Sequence, residues 1–80
     1  MDFMITSVDD VRKQVHYSIN VVGGKYEVRA CSDRDGRIVS RQFDGPKEAY
    51  EVFEKIVSWI VFGFYADEDR MDFIEYGTME

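Results

Sequence analysis

Val15-His16-Tyr17-Ser18-Ile19-Asn20-Val21-Val22, followed by Gly23-Gly24 and then Lys25-Tyr26-Glu27-Val28-Arg29-Ala30-Cys31, sets the architecture of this chain. Val15, Tyr17, Ile19 and Val21 fall on one side, and His16, Ser18 and Asn20 on the other. A period of two marks a half-buried strand. Lys25 to Cys31 alternates again, with Tyr26, Val28 and Ala30 opposed to Glu27, Arg29 and Cys31. Gly23-Gly24 between them tolerates positive φ at both positions, as a two-residue hairpin turn requires. That turn predicts the register: Val22 with Lys25, Val21 with Tyr26, Ile19 with Val28, Tyr17 with Ala30. On the outer face Asn20 then meets Glu27, Ser18 meets Arg29 and His16 meets Cys31. Each inward residue meets an inward residue, which a slip by one position would destroy.

Downstream, Ser32-Asp33-Arg34-Asp35-Gly36 reads as a longer turn. Arg37 to Phe43 follows as a third strand. Val39 and Phe43 point inward, which carries Arg41 inward too. An inward charge is a protective device of edge strands, so this strand is placed at an edge. Asp44-Gly45-Pro46 ends it and starts a helix, with proline at the first helical position and Asp44 or Gly45 as cap. Ala49, Tyr50, Phe53, Ile56, Val57 and Ile60 recur at three-and-four spacing, so the helix runs over about 46–62. Glu48, Glu51, Glu54 and Lys55 line its wet side, and Gly63 ends it. Ala66 to Arg70 opens a last element. Asp67 could cap a helix carrying Met71, Phe73 and Ile74 inward and ended by Gly77, with a short strand over 72–76 as the alternative. Thr78-Met79-Glu80 reads as a frayed tail.

Upstream, Met1 to Ile5 reads as a short strand or loose arm. Thr6-Ser7-Val8-Asp9-Asp10 reads as a short helix start, with Ser7 as N-cap and two aspartates at the positive end of the helix dipole. The expected fold class is α+β. It is a three-stranded antiparallel β-meander packed against one main amphipathic helix, with short N-terminal and C-terminal elements. Residues 1–80 form a single small domain.

Apolar residues at 45% and aromatics at 15% exclude disorder for most of the chain. One cysteine excludes a disulfide framework and a cysteine-based zinc site. No basic stretch precedes an apolar one as in a signal peptide. The greasiest run, Ile56 to Tyr65, is about half a bilayer span. The expected location is cytoplasmic, with no membrane contact. Net charge is −6 and unevenly spread. Residues 1–43 hold seven Lys/Arg and six Asp/Glu, whereas residues 44–80 hold three and ten.

His16 and Cys31 are the only nucleophile-and-base pair that the register brings together. A thiolate beside imidazole can attack. Here no third group orients them, so both are read as structural, and no catalytic residue, cofactor or enzymatic activity is expected. Asp33 and Asp35 share a turn without calcium-loop spacing, and no metal site is expected. Lys25, Arg29, Arg34, Arg37 and Arg41 gather on the meander, but the overall negative charge opposes direct nucleic-acid binding.

Two groups remain. Trp59, Phe62, Phe64 and Tyr65 lie too close in sequence for one face of one helix, and an exposed remainder marks a partner surface or a homodimer face. Asp67, Glu68, Asp69, Asp72 and Glu75 are offset locally by Arg70 alone. Carboxylates so spaced can imitate a row of DNA phosphates and be steered to a basic channel.

The layout resembles small phage-encoded anti-CRISPR proteins. Tyr17 to Phe53 is similar to a type I-F inhibitor of the Cascade surveillance complex. The likeness rests on the Gly23-Gly24 turn, Lys25, Arg29, the Gly36 turn, Val39, and Phe43-Asp44 before an amphipathic helix. Trp59 to Glu75 resembles the aromatic-then-acidic segment of a DNA-mimicking type II-A inhibitor. The sheet tyrosine and glutamate that the first family uses for binding fall near Asn20 and Cys31, so those roles do not carry over. The resemblance implies a non-enzymatic inhibitor of a bacterial nucleic-acid-handling complex, such as a CRISPR-Cas effector, acting in the host cytoplasm. Its partner would carry a basic surface. The alternative is a small homodimeric structural or regulatory domain that uses the aromatic helix end as its interface.

Overall fold

Six elements follow one another: β1 (Phe3–Asp10), β2 (Val15–Val22), β3 (Lys25–Ser32), β4 (Ile38–Phe43), α1 (Pro46–Phe62) and α2 (Asp67–Tyr76). The structure, a computed structural model, describes residues 2–12 and 14–78. Met79 and Glu80 of the expected frayed tail, like Met1 of the expected arm, lie outside the described residues.

The β2–β3 hairpin has the register that its turn dictates: Val22 to Lys25, Val21 to Tyr26, Ile19 to Val28, Tyr17 to Ala30, His16 to Cys31. Gly23 and Gly24 stand at φ 58° and 80°. Two successive left-handed residues match the twist of the flanking strands, and glycine adopts them without a Cβ clash. β4 pairs with β3 at one edge, with Val39 opposite Ala30. Val39 is buried, Phe43 packs against the core, and Arg41 is half-buried with its guanidinium 4.9 Å above the Phe43 ring.

The N-terminal segment corrects the sequence reading. Thr6 to Asp10 starts no helix; it belongs to β1, which pairs antiparallel with β2. The sheet therefore has four strands in the order β1-β2-β3-β4, not three. The register shifts between Met4 and Thr6. A bulge there inserts one residue into the alternation. Ile5 and Val8, three positions apart, thus both pack against the core. That spacing imitates a helical period.

α1 begins with Gly45 as N-cap and Pro46 in its first turn, and it buries Ala49, Val52, Phe53 and Ile56. The last element is a helix, not a strand, and buries Met71 and Ile74. Its N-cap is Ala66, and no side chain caps it. Asp67, expected as the cap, is instead the first helical residue and points its carboxylate inward. Both helices share one core with Val15, Tyr17, Ile19, Val28, Ala30 and Val39, all on one sheet face. His16, Ser18, Asn20, Arg29, Cys31, Ser40 and Gln42 form the other face, which no described element covers.

Candidate functional site

The last buried residue of α1 is Ile56. The last turn of the helix and the linker to α2 project Val61, Phe62, Phe64 and Tyr65, which are 69%, 68%, 55% and 52% exposed. Phe62 and Phe64 lie 6.1 Å apart by ring centroids, and Phe64 and Tyr65 6.5 Å. The expected partner residues Phe62, Phe64 and Tyr65 thus form one ridge. Trp59 is half-buried and supports it, meeting Tyr65 edge-on at 4.9 Å and Phe73 at 5.0 Å.

The chain turns tightly here. The Gly63 N–H donates to the Ile60 carbonyl and the Phe64 N–H to the Trp59 carbonyl. Tyr65 sits at φ 65°, a left-handed conformation that costs a bulky side chain of the order of 1 kcal/mol. Such backbone persists only where its surroundings fix it, and Arg70 does so. Its Nε and Nη2 donate to the Phe64 carbonyl at 3.0 and 2.7 Å, and Nη2 to the Trp59 carbonyl at 3.2 Å. Nη1 reaches Asp10 Oδ2 at 3.0 Å and Asp67 Oδ1 at 3.1 Å. Arg70 is 4% exposed, so these charge-assisted bonds form away from water. Tyr17 Oη also donates to Asp67 Oδ1. Burial, and then this bond to a carboxylate, push the Tyr17 phenol well above its usual range.

The acidic group divides. Asp67 is 3% exposed and serves Tyr17 and Arg70. Asp72 accepts from Arg37 at 2.7 Å, Glu75 stands 3.5 Å from the same guanidinium, and Glu68 stands 3.9 Å from Arg34. Asp69 joins no ion pair among the described residues. The row that sequence offset by Arg70 alone is thus opposed also by Arg34 and Arg37 of the meander, at Glu68, Asp72 and Glu75.

The same contacts occupy the basic group. Lys25 pairs with Asp44 at 2.9 Å, Arg34 and Arg37 face α2, and Arg41 lies on Phe43. Arg29 alone of those five is exposed without an ion pair or ring contact among the described residues.

His16 and Cys31 are cross-strand neighbours, yet the imidazole is engaged elsewhere. Nδ1 lies 2.9 Å from Asp9 Oδ1, and Nε2 lies 2.6 Å from Asp33 Oδ2. The bond to Asp9, then that to Asp33, raise the His16 pKa above its ordinary value. Two carboxylates thus orient the ring, where the sequence offered no orienting group, and among the described residues neither nitrogen is bonded to Cys31. The two carboxylates sit at opposite ends of the ring. Among the described residues, no group of three or more His, Cys, Asp or Glu converges as metal ligands would. No described helix is long and apolar enough to cross a membrane.

A cleft of about 690 Å³ separates the β1–β2 turn from the end of α1. Its lining includes Asp10, Val11, Arg12, Phe62, Tyr65 and Asp67. Val11 is 81% exposed on the far rim. Sequence reasoning missed Val11, Val61 and the clamp of Asp10, Tyr17 and Arg70. The only local signal was the single arginine inside an acidic run. No family model, curated protein or solved structure matches the chain.

Proposed function

We propose that this protein is a non-enzymatic binding module that docks on a protein partner through the ridge of Phe62, Phe64 and Tyr65 and inhibits that partner by occupying its surface. One observation carries the reading: three neighbouring aromatics stand exposed while Arg70 and Trp59 hold their backbone fixed. Rigid aromatic anchors lose little conformational freedom on association and dominate interface energetics.

Charge favours a basic partner, such as a bacterial nucleic-acid-handling complex of the CRISPR-Cas effector class, met in the cytoplasm. The chain carries −6, and Glu48, Glu51 and Glu54 lie exposed on α1 without ion pairs among the described residues. They accelerate encounter with a basic surface. The row from Asp67 to Glu75 is given steering rather than literal DNA mimicry, because most of its carboxylates face arginines of the same chain. A second reading uses the same ridge against a second copy. It is favoured by the absence of a charged residue between Val57 and Ala66.

The test is affinity capture from a bacterial lysate with the wild-type chain, Phe62→Glu, Phe64→Glu and the sheet-face control Gln42→Glu. Wild type and control should retain one partner that both ridge variants lose, and nucleic acid should compete for it. Identical capture by all four chains removes the ridge from the docking role. Sedimentation of the purified chain decides the second reading: a dimer that resists salt and dissociates in Phe62→Glu establishes it.

A further inference from the structure

We infer that His16, Asp9 and Asp33 form a pH-operated clasp, which fixes the aromatic ridge while the imidazole is protonated and loosens it when the ring is neutral. This rests on the docking reading and deepens it, because it regulates the surface on which that reading depends.

The clasp stands where three segments meet. His16 of β2 lies 2.9 Å from Asp9 of β1 and 2.6 Å from Asp33 in the turn after β3. The Asp33 N–H donates to the Gln14 carbonyl, so the β1–β2 turn joins the same junction. The other groups beside the ring are Cys31 and Arg29, both from β3. A protonated ring donates from both nitrogens, one to each carboxylate. A neutral ring keeps one N–H, and its other nitrogen turns a lone pair toward a carboxylate. Loss of the proton therefore breaks one arm of the clasp. The contact to Asp33 is the shorter, so the arm released is Asp9.

Asp9 and Asp10 are consecutive on a strand and so face opposite sides of the sheet. Asp9 meets His16 on the open face, and Asp10 meets Arg70 on the core side at 3.0 Å. β1 is an edge strand, paired with β2 alone. Among the described residues, the Asp10–Arg70 contact is the one side-chain hydrogen bond or ion pair between β1 and a helix. Arg70 in turn holds the Trp59 and Phe64 carbonyls. Release of Asp9 frees the end of an edge strand, where local opening is easiest. Asp10 then leaves the guanidinium that fixes the ridge.

Backbone strain marks both ends of this route. Gln14 at φ 58° and Tyr65 at φ 65° are the non-glycine residues of the described chain with positive φ. One adjoins the clasp and the other belongs to the ridge. Strain of this kind persists only where it is held, and it gathers at switch regions. The cleft between the β1–β2 turn and the end of α1 leaves that turn room to move.

The test is amide hydrogen exchange of the isotope-labelled full chain from about pH 5.5 to 8.5, corrected for the intrinsic rate, beside an NMR titration of the His16 ring. The Phe64 N–H, bonded to the Trp59 carbonyl, reports the ridge, and Val28 in the middle of the sheet reports global unfolding. Protection of Phe64 should fall about threefold as His16 loses its proton, the size of one exposed ion pair. The fall should vanish in His16→Gln. Asp33→Asn should lower the His16 midpoint and carry the Phe64 midpoint with it. In Asp10→Ala the ring should still titrate, while Phe64 no longer follows it. A fall confined to Val28, a fall that persists in His16→Gln, or an undiminished one in Asp10→Ala would each overturn the clasp. If Asp10→Ala does not fold, His16→Gln and Asp33→Asn decide. No partner enters the measurement, so a ridge that fails in lysate capture and a clasp that fails here are separate results.

Discussion

Tyr17 Oη and Asp67 Oδ1 lie 2.5 Å apart, joining the middle of the sheet to the first turn of α2 across fifty residues of chain. Neither group reaches water: Tyr17 is fully buried and Asp67 nearly so. Asp67 keeps Arg70 as its other partner, but its Oδ2 is already without one. Tyr17→Phe therefore removes a donor from a carboxylate that has none to spare. The expected loss is about 2 kcal/mol in urea unfolding. The packing of the ring is retained, so the native spectrum should be unchanged. A variant as stable as wild type would mean that the bond contributes nothing.

Arg70→Met is the more severe change. It strips two carboxylates and two carbonyls of their shared donor inside the protein. Breaking a buried ion pair from one side costs about 4 kcal/mol. Tyr65 loses the contact that holds its left-handed backbone, so Trp59 should lose its edge-on neighbour. The measurement is the Trp59 emission maximum beside thermal melting. Both should move, emission to the red and the midpoint downward.

Phe62 and Trp59 should separate binding from stability. Phe62 is exposed, and Phe62→Glu should change unfolding free energy by no more than about 0.5 kcal/mol. Trp59 packs on Tyr65 and Phe73, and Trp59→Ala should cost about 3 kcal/mol. Denaturant midpoints of the two variants test this. Equal destabilisation would make Phe62 part of the core.

Protonated His16 bridges Asp9 of β1 and Asp33 in the turn after β3. Its pKa is raised in the folded chain. The stability this clamp gives is therefore complete below the unfolded value of about 6.5 and is lost as pH rises through the folded value. Melting temperature should fall over that window in wild type and stay flatter in His16→Gln. Parallel profiles would show that the clamp carries no weight.

What the sequence disclosed and what it hid follow from the range of the interactions. The β2–β3 register was legible because a period of two and a two-residue turn are local facts. So were the bounds of α1, set by Pro46 at one end and Gly63 at the other. β1 was hidden because Ser7, Asp9 and Asp10 carry the local signature of a helix start, while its bulge breaks the period of two that would have marked a strand. The ridge was legible in outline, since four large aromatics within seven residues exceed what one helix face can bury. The fate of the acidic run was not. Asp67 looked like a cap and a surface charge, because Tyr17 and Asp10 are far from it in the chain. Charge pairing across the fold leaves no trace in local spacing.

Arg70 and Asp10 are separated by sixty residues in a chain of eighty. Closing so long a loop precedes any reward from the contact, so this bond belongs late in the folding reaction. The hairpin around Gly23-Gly24 needs no such closure and can form early. A growing or partly folded chain therefore acquires its sheet before its aromatic ridge takes shape. Substitutions at Arg70 should then speed unfolding while leaving the refolding rate nearly unchanged, which the two limbs of a chevron plot resolve. The exposed aromatic end of α1 then becomes the last part of the molecule to take its final form, and a chain caught before that step presents a sheet without a finished ridge.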